Sequence, residues 1–251
     1  MKRFLTLLLV LFLCAGALHA QKFALPQGGY DQLRVLLVGN SFTYFHDCDS
    51  MLVQIARSQG KEIHLGEYLK GGQTFGQHLN LPATSSAIAA GSYHYAFIQD
   101  LSYNAALYSR DGRKDILENT LELKRRILQA SPECHIILER TWSYEGADAA
   151  GFGSAANLDR HLAKGAARIA RKARLQLSPI GEGFNIVRSE RPDINLFEPD
   201  NKHQSAEGSY LKCCINYLIM TGEPFHGEVA TCGIDAETAA YLRDVAVRTV
   251  K

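Results

Sequence analysis

The sequence lacks most of the marks of a specialised chain. No repeat, polar linker or transmembrane span interrupts residues 31–250, and only seven residues of 251 are proline, so a tandem array and a flexibly linked pair of domains are both disfavoured. An excess of charge of one sign is also missing. The 27 Lys+Arg stand against 26 Asp+Glu, a formal net charge of +1 that supplies no global attraction for nucleic acid or an anionic membrane. There is no C-x-x-C pair, which removes the usual zinc module, and no G-x-x-x-x-G-K-[ST], which removes a P-loop. What is present, 46% hydrophobic and 21% charged residues, describes an ordinary globular chain with enough length for one α/β domain and a substantial core.

Residues 1–20 read differently from the rest. Lys2 and Arg3 precede the uncharged apolar run Phe4–Ala15, and small residues follow at Ala15-Gly16-Ala17 and Ala20. This is the three-part pattern of a secretory signal, with an apolar centre short for a bilayer span. The expectation is export to the periplasm, the cell surface or the medium, leaving residues 21–251 as one domain with no stable membrane insertion. Cys14 suggests lipid attachment, but the bulky Leu13 before it argues against that. Five cysteines then remain, Cys48, Cys134, Cys213, Cys214 and Cys232. An odd number argues against a disulfide scaffold, although of the adjacent Cys213 and Cys214 one could be core while the other meets Cys232.

Short runs rich in Val, Ile and Leu alternate with segments of helical period. Strands are expected at Arg34–Val38, Glu62–Leu69, Tyr93–Gln99, His135–Glu139 and Leu175–Ile180. Helices are expected at Asp49–Gln59, Asp115–Gln129, around Leu158–Ala173, at Ala206–Met220 and at Asp235–Val247. Continuous apolar strands separated by helices imply a parallel sheet covered on both faces, with ligands beyond the C-terminal strand ends. Four polar segments fall there: Gly39–Thr43, Gly71–Thr74, Gln99–Asn104 and Asp200–His203.

Ser41, in Val38-Gly39-Asn40-Ser41-Phe42-Thr43, directly follows the first strand. A serine at such a turn either caps the helix or presents its hydroxyl at the sheet rim, where the helix N-terminus favours developing negative charge. Thr43 stands where the G-x-S-x-G elbow needs glycine. Near the other end, Asp200 lies three residues before His203 and just ahead of a helix. That spacing lets the carboxylate orient the imidazole while the other ring nitrogen takes a proton from Ser41. The stretch Gly151–Ala156 fits G-x-G-x-x-A but follows no convincing strand, and reads as a glycine-rich loop entering a helix. Trp142 and Tyr144 offer either a platform for a sugar ring or core packing. His46, Asp47, Cys48 and Asp49 read as a polar loop edge rather than a metal site.

Gly39-Asn40-Ser41 together with Asp200-x-x-His203 resembles the SGNH (GDSL-type) hydrolases, over roughly Arg34–Met220. The resemblance implies a flavodoxin-like three-layer α/β/α sandwich with a central, mostly parallel sheet of about five strands. It implies a catalytic Ser41, His203 and Asp200 working without metal or organic cofactor. Gly71-Gly72-Gln73-Thr74 resembles the block whose glycine N–H meets the oxyanion, which makes Gly72 a donor beside Ser41 N–H. The third block departs from the common Gly-x-Asn-Asp. Gln99-Asp100-Leu101-Ser102-Tyr103-Asn104 looks closer to the block of SGNH acetylesterases acting on sialic acid and other carbohydrates, with Gln99, or alternatively Asn104, as amide donor. The implied function is an exported serine esterase removing small acyl groups, acetyl above all, from a small-molecule or carbohydrate ester. The competing reading is a carbohydrate-binding or structural protein that retains the fold without catalysis.

Overall fold

The computed structural model of the chain describes residues 32–147 and 150–251; the expected signal at residues 1–20 lies outside them. Five strands, β1 (Gln32–Gly39), β2 (Glu62–Leu69), β3 (Tyr95–Ile98), β4 (His135–Glu139) and β5 (Gln176–Ser178), form one sheet in the order β2-β1-β3-β4-β5. Every pairing is parallel, so each connection must cross over the sheet, and helices supply the crossovers. The chain steps from β1 outward to β2, then returns past β1 to β3. Right-handed crossovers in opposite directions place their helices on opposite faces, which produces the three layers.

The burial pattern of β1 shows how the layers are held. Val35 and Leu37 point into one core, with α2 (Cys48–Ser58), α8 (Ile180–Glu190), α9 (Ala206–Thr221) and α10 (Ala236–Val250) packed over it. Leu36 and Val38 point into the other, beneath α4 (Pro82–Ala89) and α6 (Lys114–Ala130). The alternation follows from the two-residue period of a strand. The amphipathic α7 (Ala155–Ala173) contributes Leu158 and Leu162 to the first core and Ile169, Ala170 and Ala173 to the second. Ser154 caps it, accepting from Asn157 N–H at 3.2 Å, so the glycine-rich stretch before it serves as a helix entrance.

Strands β2 and β4 occupy the expected residues, whereas β3 and β5 are shorter than the apolar runs suggest. Among the described residues, helical segments that escape the periodicity reading include the single-turn α3 (Phe75–His78), the two-turn α4 and α5 (Asn104–Asp111), and α8. In α8, Gly181 and Gly183 mimic a loop signal. A Cβ on Gly181 would stand 2.4 Å from the Thr141 carbonyl, so its glycine serves close packing against the end of β4 rather than a turn. Among the described residues no helix is long and apolar enough to cross a membrane.

Candidate active site

The four polar segments meet where the strand order reverses, between the C-terminal ends of β1 and β3. Asn40 organises the meeting. Its side-chain oxygen accepts from Phe42 N–H at 3.2 Å and caps the single-turn α1 (Ser41–Tyr44). Its side-chain nitrogen donates to Gln73 O at 3.1 Å and Asp100 O at 3.3 Å. Lys70 N–H donates to Gly39 O at 3.1 Å, which fixes the Lys70–Gln73 turn against the same spot. Gly39 is required there, since a Cβ would come within 2.7 Å of Thr43 Oγ1. Gly72, exposed with φ +70°, adopts a left-handed turn conformation that glycine takes without strain.

Ser41 projects from this turn, half-buried, and its hydroxyl lies 2.8 Å from His203 Nε2. The opposite ring nitrogen, Nδ1, donates to Asp200 Oδ2 at 2.5 Å. Asp200 is itself ordered by its own loop, because Oδ1 accepts from Lys202 N–H at 3.0 Å and His203 N–H at 2.9 Å. Burial pushes the Asp200 carboxyl upward, but the donors from His203 and Lys202 outweigh it and hold the pKa below the usual value. The loop closes as a tight return, with Phe197 bridged to Gln204 and Glu198 N–H donating to His203 O at 2.9 Å.

Aromatic rings hold the imidazole in place. Phe45 stacks on His203 with centroids 4.3 Å apart and planes 8° apart, and Phe42 meets it edge-on at 5.5 Å. The backbone that lays Phe45 down is unusual. His46 and Asp47 both have positive φ, 54° and 48°, and His46 Nε2–H reaches Glu198 Oε1 at 2.6 Å. Trp142 does not offer a sugar platform: it is 1% exposed and stacks between Phe42 and Phe184, 4.4 Å from each. Its Nε1–H donates to Lys202 O at 3.0 Å, so it supports the His203 loop from within. Tyr144 is also buried and turns its hydroxyl toward Ser102 at 3.4 Å.

Gln99 and Asn104 lie just beyond the C-terminal end of β3, and their amides already have partners. Gln99 Oε1 accepts from Asn40 N–H at 3.1 Å and Thr43 Oγ1–H at 3.2 Å, and its nitrogen donates to Asp100 O. Asn104 Nδ2 donates to Asp100 Oδ2 at 3.0 Å. Asp100 also accepts from Phe75 N–H and Leu101 N–H, each at 2.8 Å. Desolvation nevertheless outweighs these donors and lifts its pKa to about 6.

Beneath the serine turn lies a buried ion pair that motif reading misses. Lys212 Nζ stands 2.7 Å from Glu139 Oε2, both side chains 2% exposed, and donates to Phe42 O at 2.8 Å and Thr43 Oγ1 at 3.1 Å. Asn216 Nδ2 donates to Glu139 Oε1 at 2.6 Å, and Ser178 Oγ–H to Asn216 Oδ1 at 2.8 Å. Desolvation alone would lower the Lys212 pKa; the Glu139 carboxylate overcomes it and holds the ammonium protonated. The sequence signal was a lone lysine within Tyr210-Leu211-Lys212-Cys213-Cys214-Ile215, on a helix otherwise apolar over that stretch.

No family model matches the chain, and no curated protein matches it by sequence. Solved structures do. A DUF4886 family protein from Bacteroides uniformis superposes with a TM-score of 0.73 at 17% identity, covering 87% of this chain and 95% of its own. A protein described as a candidate SGNH hydrolase from Slackia heliotrinireducens gives 0.61 at 22% identity, over 76% and 100%. A catalytic-mutant form of an acetylxylan esterase from Geobacillus stearothermophilus gives 0.54 at 14% identity, over 78% and 97%. At such identities the likeness concerns the fold. The chain has the α/β/α fold of the SGNH hydrolases.

Proposed function

Starting from the SGNH-hydrolase fold, we propose that this chain is a serine ester hydrolase in which Ser41 attacks an acyl carbonyl. The observation that carries the reading is the unbroken chain Ser41 Oγ, His203, Asp200, at 2.8 and 2.5 Å. His203 Nε2 takes the Ser41 proton as the C–O bond forms, and Asp200 stabilises the resulting imidazolium through Nδ1–H. The tetrahedral oxyanion is met by the backbone N–H groups of Ser41 and Gly72, at the start of α1 and in the neighbouring turn. His203 then protonates the leaving alcohol, and water, deprotonated by the same imidazole, hydrolyses the acyl-enzyme. Gln99 and Asn104 act in this reading through their bonds to Asn40 and Asp100, by fixing the turn that presents these donors.

The substrate class we propose is a small acyl ester, acetyl above all, on a carbohydrate. Its support is the exposed Gly71–Gly72 turn beside a half-buried serine, and a fold shared with an acetylxylan esterase. We extend the proposal to an exported enzyme on the pattern of residues 1–20.

The test is acetate release from p-nitrophenyl acetate and from a panel of acetylated sugars by the wild type and Ser41→Ala. The expected result is turnover by the wild type and a loss of at least about 10³-fold in kcat for the variant, with an unchanged circular dichroism spectrum. Equal release by both proteins, or none from either, would overturn the reading in favour of a protein that keeps the fold without the chemistry.

A further inference from the structure

Cys48 and Cys213 are far apart in sequence and meet in the core. Their Sγ atoms are 3.2 Å apart, and Cys213 Sγ also lies 3.0 Å from Cys48 O. Both residues are buried, at 3% and 1% exposure. Cys48 is the first residue of α2, just beyond the Ser41 turn and its left-handed exit, and Cys213 lies on α9, the helix that the His203 loop enters. This is not the pairing anticipated from the adjacent cysteines, in which one of them meets Cys232.

We propose that Cys48 and Cys213 are a disulfide site, a covalent cross-link between the segment that carries Ser41 and the segment that carries His203. The dithiol seen here is its reduced form. A disulfide needs the sulfurs at about 2.05 Å, so the pair must close by roughly 1.1 Å, within reach of small side-chain torsions. The other cysteines fit less well. Cys134 belongs to the core on the opposite face of the sheet, and the Cys232 thiol points to Met51 O and Ala230 O at 3.9 and 4.0 Å. Cys214, adjacent to Cys213 on the same helix, is turned away from Cys48, toward Tyr210, Arg243 and Cys232, but no sulfur contact joins it to Cys232 as Sγ–Sγ proximity joins Cys48 to Cys213.

Oxidation removes one proton from each thiol and two electrons from the pair. The acceptor is a disulfide-bearing oxidant of the thiol–disulfide exchange class. One cysteine sulfur attacks it to give a mixed disulfide, the second displaces the carrier, and the oxidant leaves as two thiols. The two positions are 165 residues apart, so the link constrains a very long loop in the unfolded chain, where the entropic gain is largest. The site stands independently of any catalytic role for Ser41.

The full chain, unfolded and refolded in mixtures of oxidised and reduced glutathione, is acid-quenched, alkylated in denaturant and peptide-mapped without reduction. The expected product is a Cys48–Cys213 linked peptide, about 2 Da lighter than the same two peptides with only those two thiols free, with Cys214, Cys232 and Cys134 alkylated and the link placed on Cys213 by fragmentation between the adjacent cysteines. The oxidised protein should melt about 10 °C above the reduced one. In the double variant Cys48→Ala with Cys213→Ala, the melting temperature should ignore reductant. Full alkylation of Cys48 and Cys213 at every glutathione ratio, or a link that uses Cys134, Cys214 or Cys232 instead, would overturn the assignment. Because the map is read on the wild type, the test holds even if the double variant does not fold.

Discussion

Two contacts hold the chain around Ser41, one below the turn and one at its rim, and they differ in everything except length. Lys212 meets Glu139 at 2.7 Å with both side chains 2% exposed, while His46 meets Glu198 at 2.6 Å with side chains 34% and 31% exposed. Distance therefore says almost nothing about energy. At the rim, water stands ready to solvate whichever partner is left alone, and salt screens the attraction. Below the turn nothing replaces a lost partner, so each charge depends on the other and on the bonds from Asn216, Phe42 and Thr43. The buried contact fixes the shape of the serine turn; the rim contact holds a flap of backbone.

The sharpest way to break that comparison is Lys212→Met. It leaves the Glu139 carboxylate buried without a counter-charge and removes the donors to Phe42 O and Thr43 Oγ1. We expect a loss of about 3–5 kcal/mol in urea unfolding. Adding Glu139→Gln, which keeps an acceptor for Asn216, should recover most of it. A single-variant loss below about 1 kcal/mol would place the buried pair in the same class as a surface pair. The Lys212 contribution also has a pH signature. Since its folded pKa is raised, the stability is present below the unfolded lysine value of about 10.4 and is lost as pH climbs through the higher folded value.

The same contrast decides what could be read from sequence. Ser41, Asp200 and His203 were legible because turns and caps at strand ends leave short local patterns, and five apolar runs fixed the sheet. The supporting residues were not. Lys212 shows as one cation in an apolar helix, but nothing local names Glu139, 73 positions earlier, as its partner. The placement of Phe45 on His203 depends on left-handed His46 and Asp47, positions where no glycine announces the turn. Trp142 carries the same local pattern whether it faces a sugar or, as here, Phe42 and Phe184. Helix α8 hid behind glycines that serve packing.

A second, smaller effect concerns Asp100, which is held by three donors but pushed up to about pH 6 by desolvation. Its folded pKa lies above the unfolded value of about 3.9, so the folded state holds the proton more tightly. Its contribution is greatest below about pH 4 and declines as pH rises toward 6, by at most about 3 kcal/mol. Urea unfolding at pH 4, 5 and 6 should show this decline in the wild type relative to Asp100→Asn, in which the group no longer titrates. Parallel curves for the two proteins would mean that Asp100 is solvated well enough to ionise normally. It would then belong with the rim rather than with the buried network.

The smallest effect lies at the rim, and separating its two parts sharpens the comparison most. His46→Ala removes the contact to Glu198 but keeps a side chain on a backbone with φ 54°. The expected cost is no more than about 1 kcal/mol. His46→Gly removes the same contact and also frees the left-handed conformation, which costs an ordinary residue about 1–2 kcal/mol. Glycine pays part of that back through a more flexible unfolded chain, so it should come out more stable than alanine by about 0.5–1 kcal/mol. That order would identify backbone strain, not the exposed contact, as the dominant energy at His46. Alanine equal to glycine would mean that the turn relaxes once Glu198 lets go, leaving the contact itself as what holds Phe45 over His203.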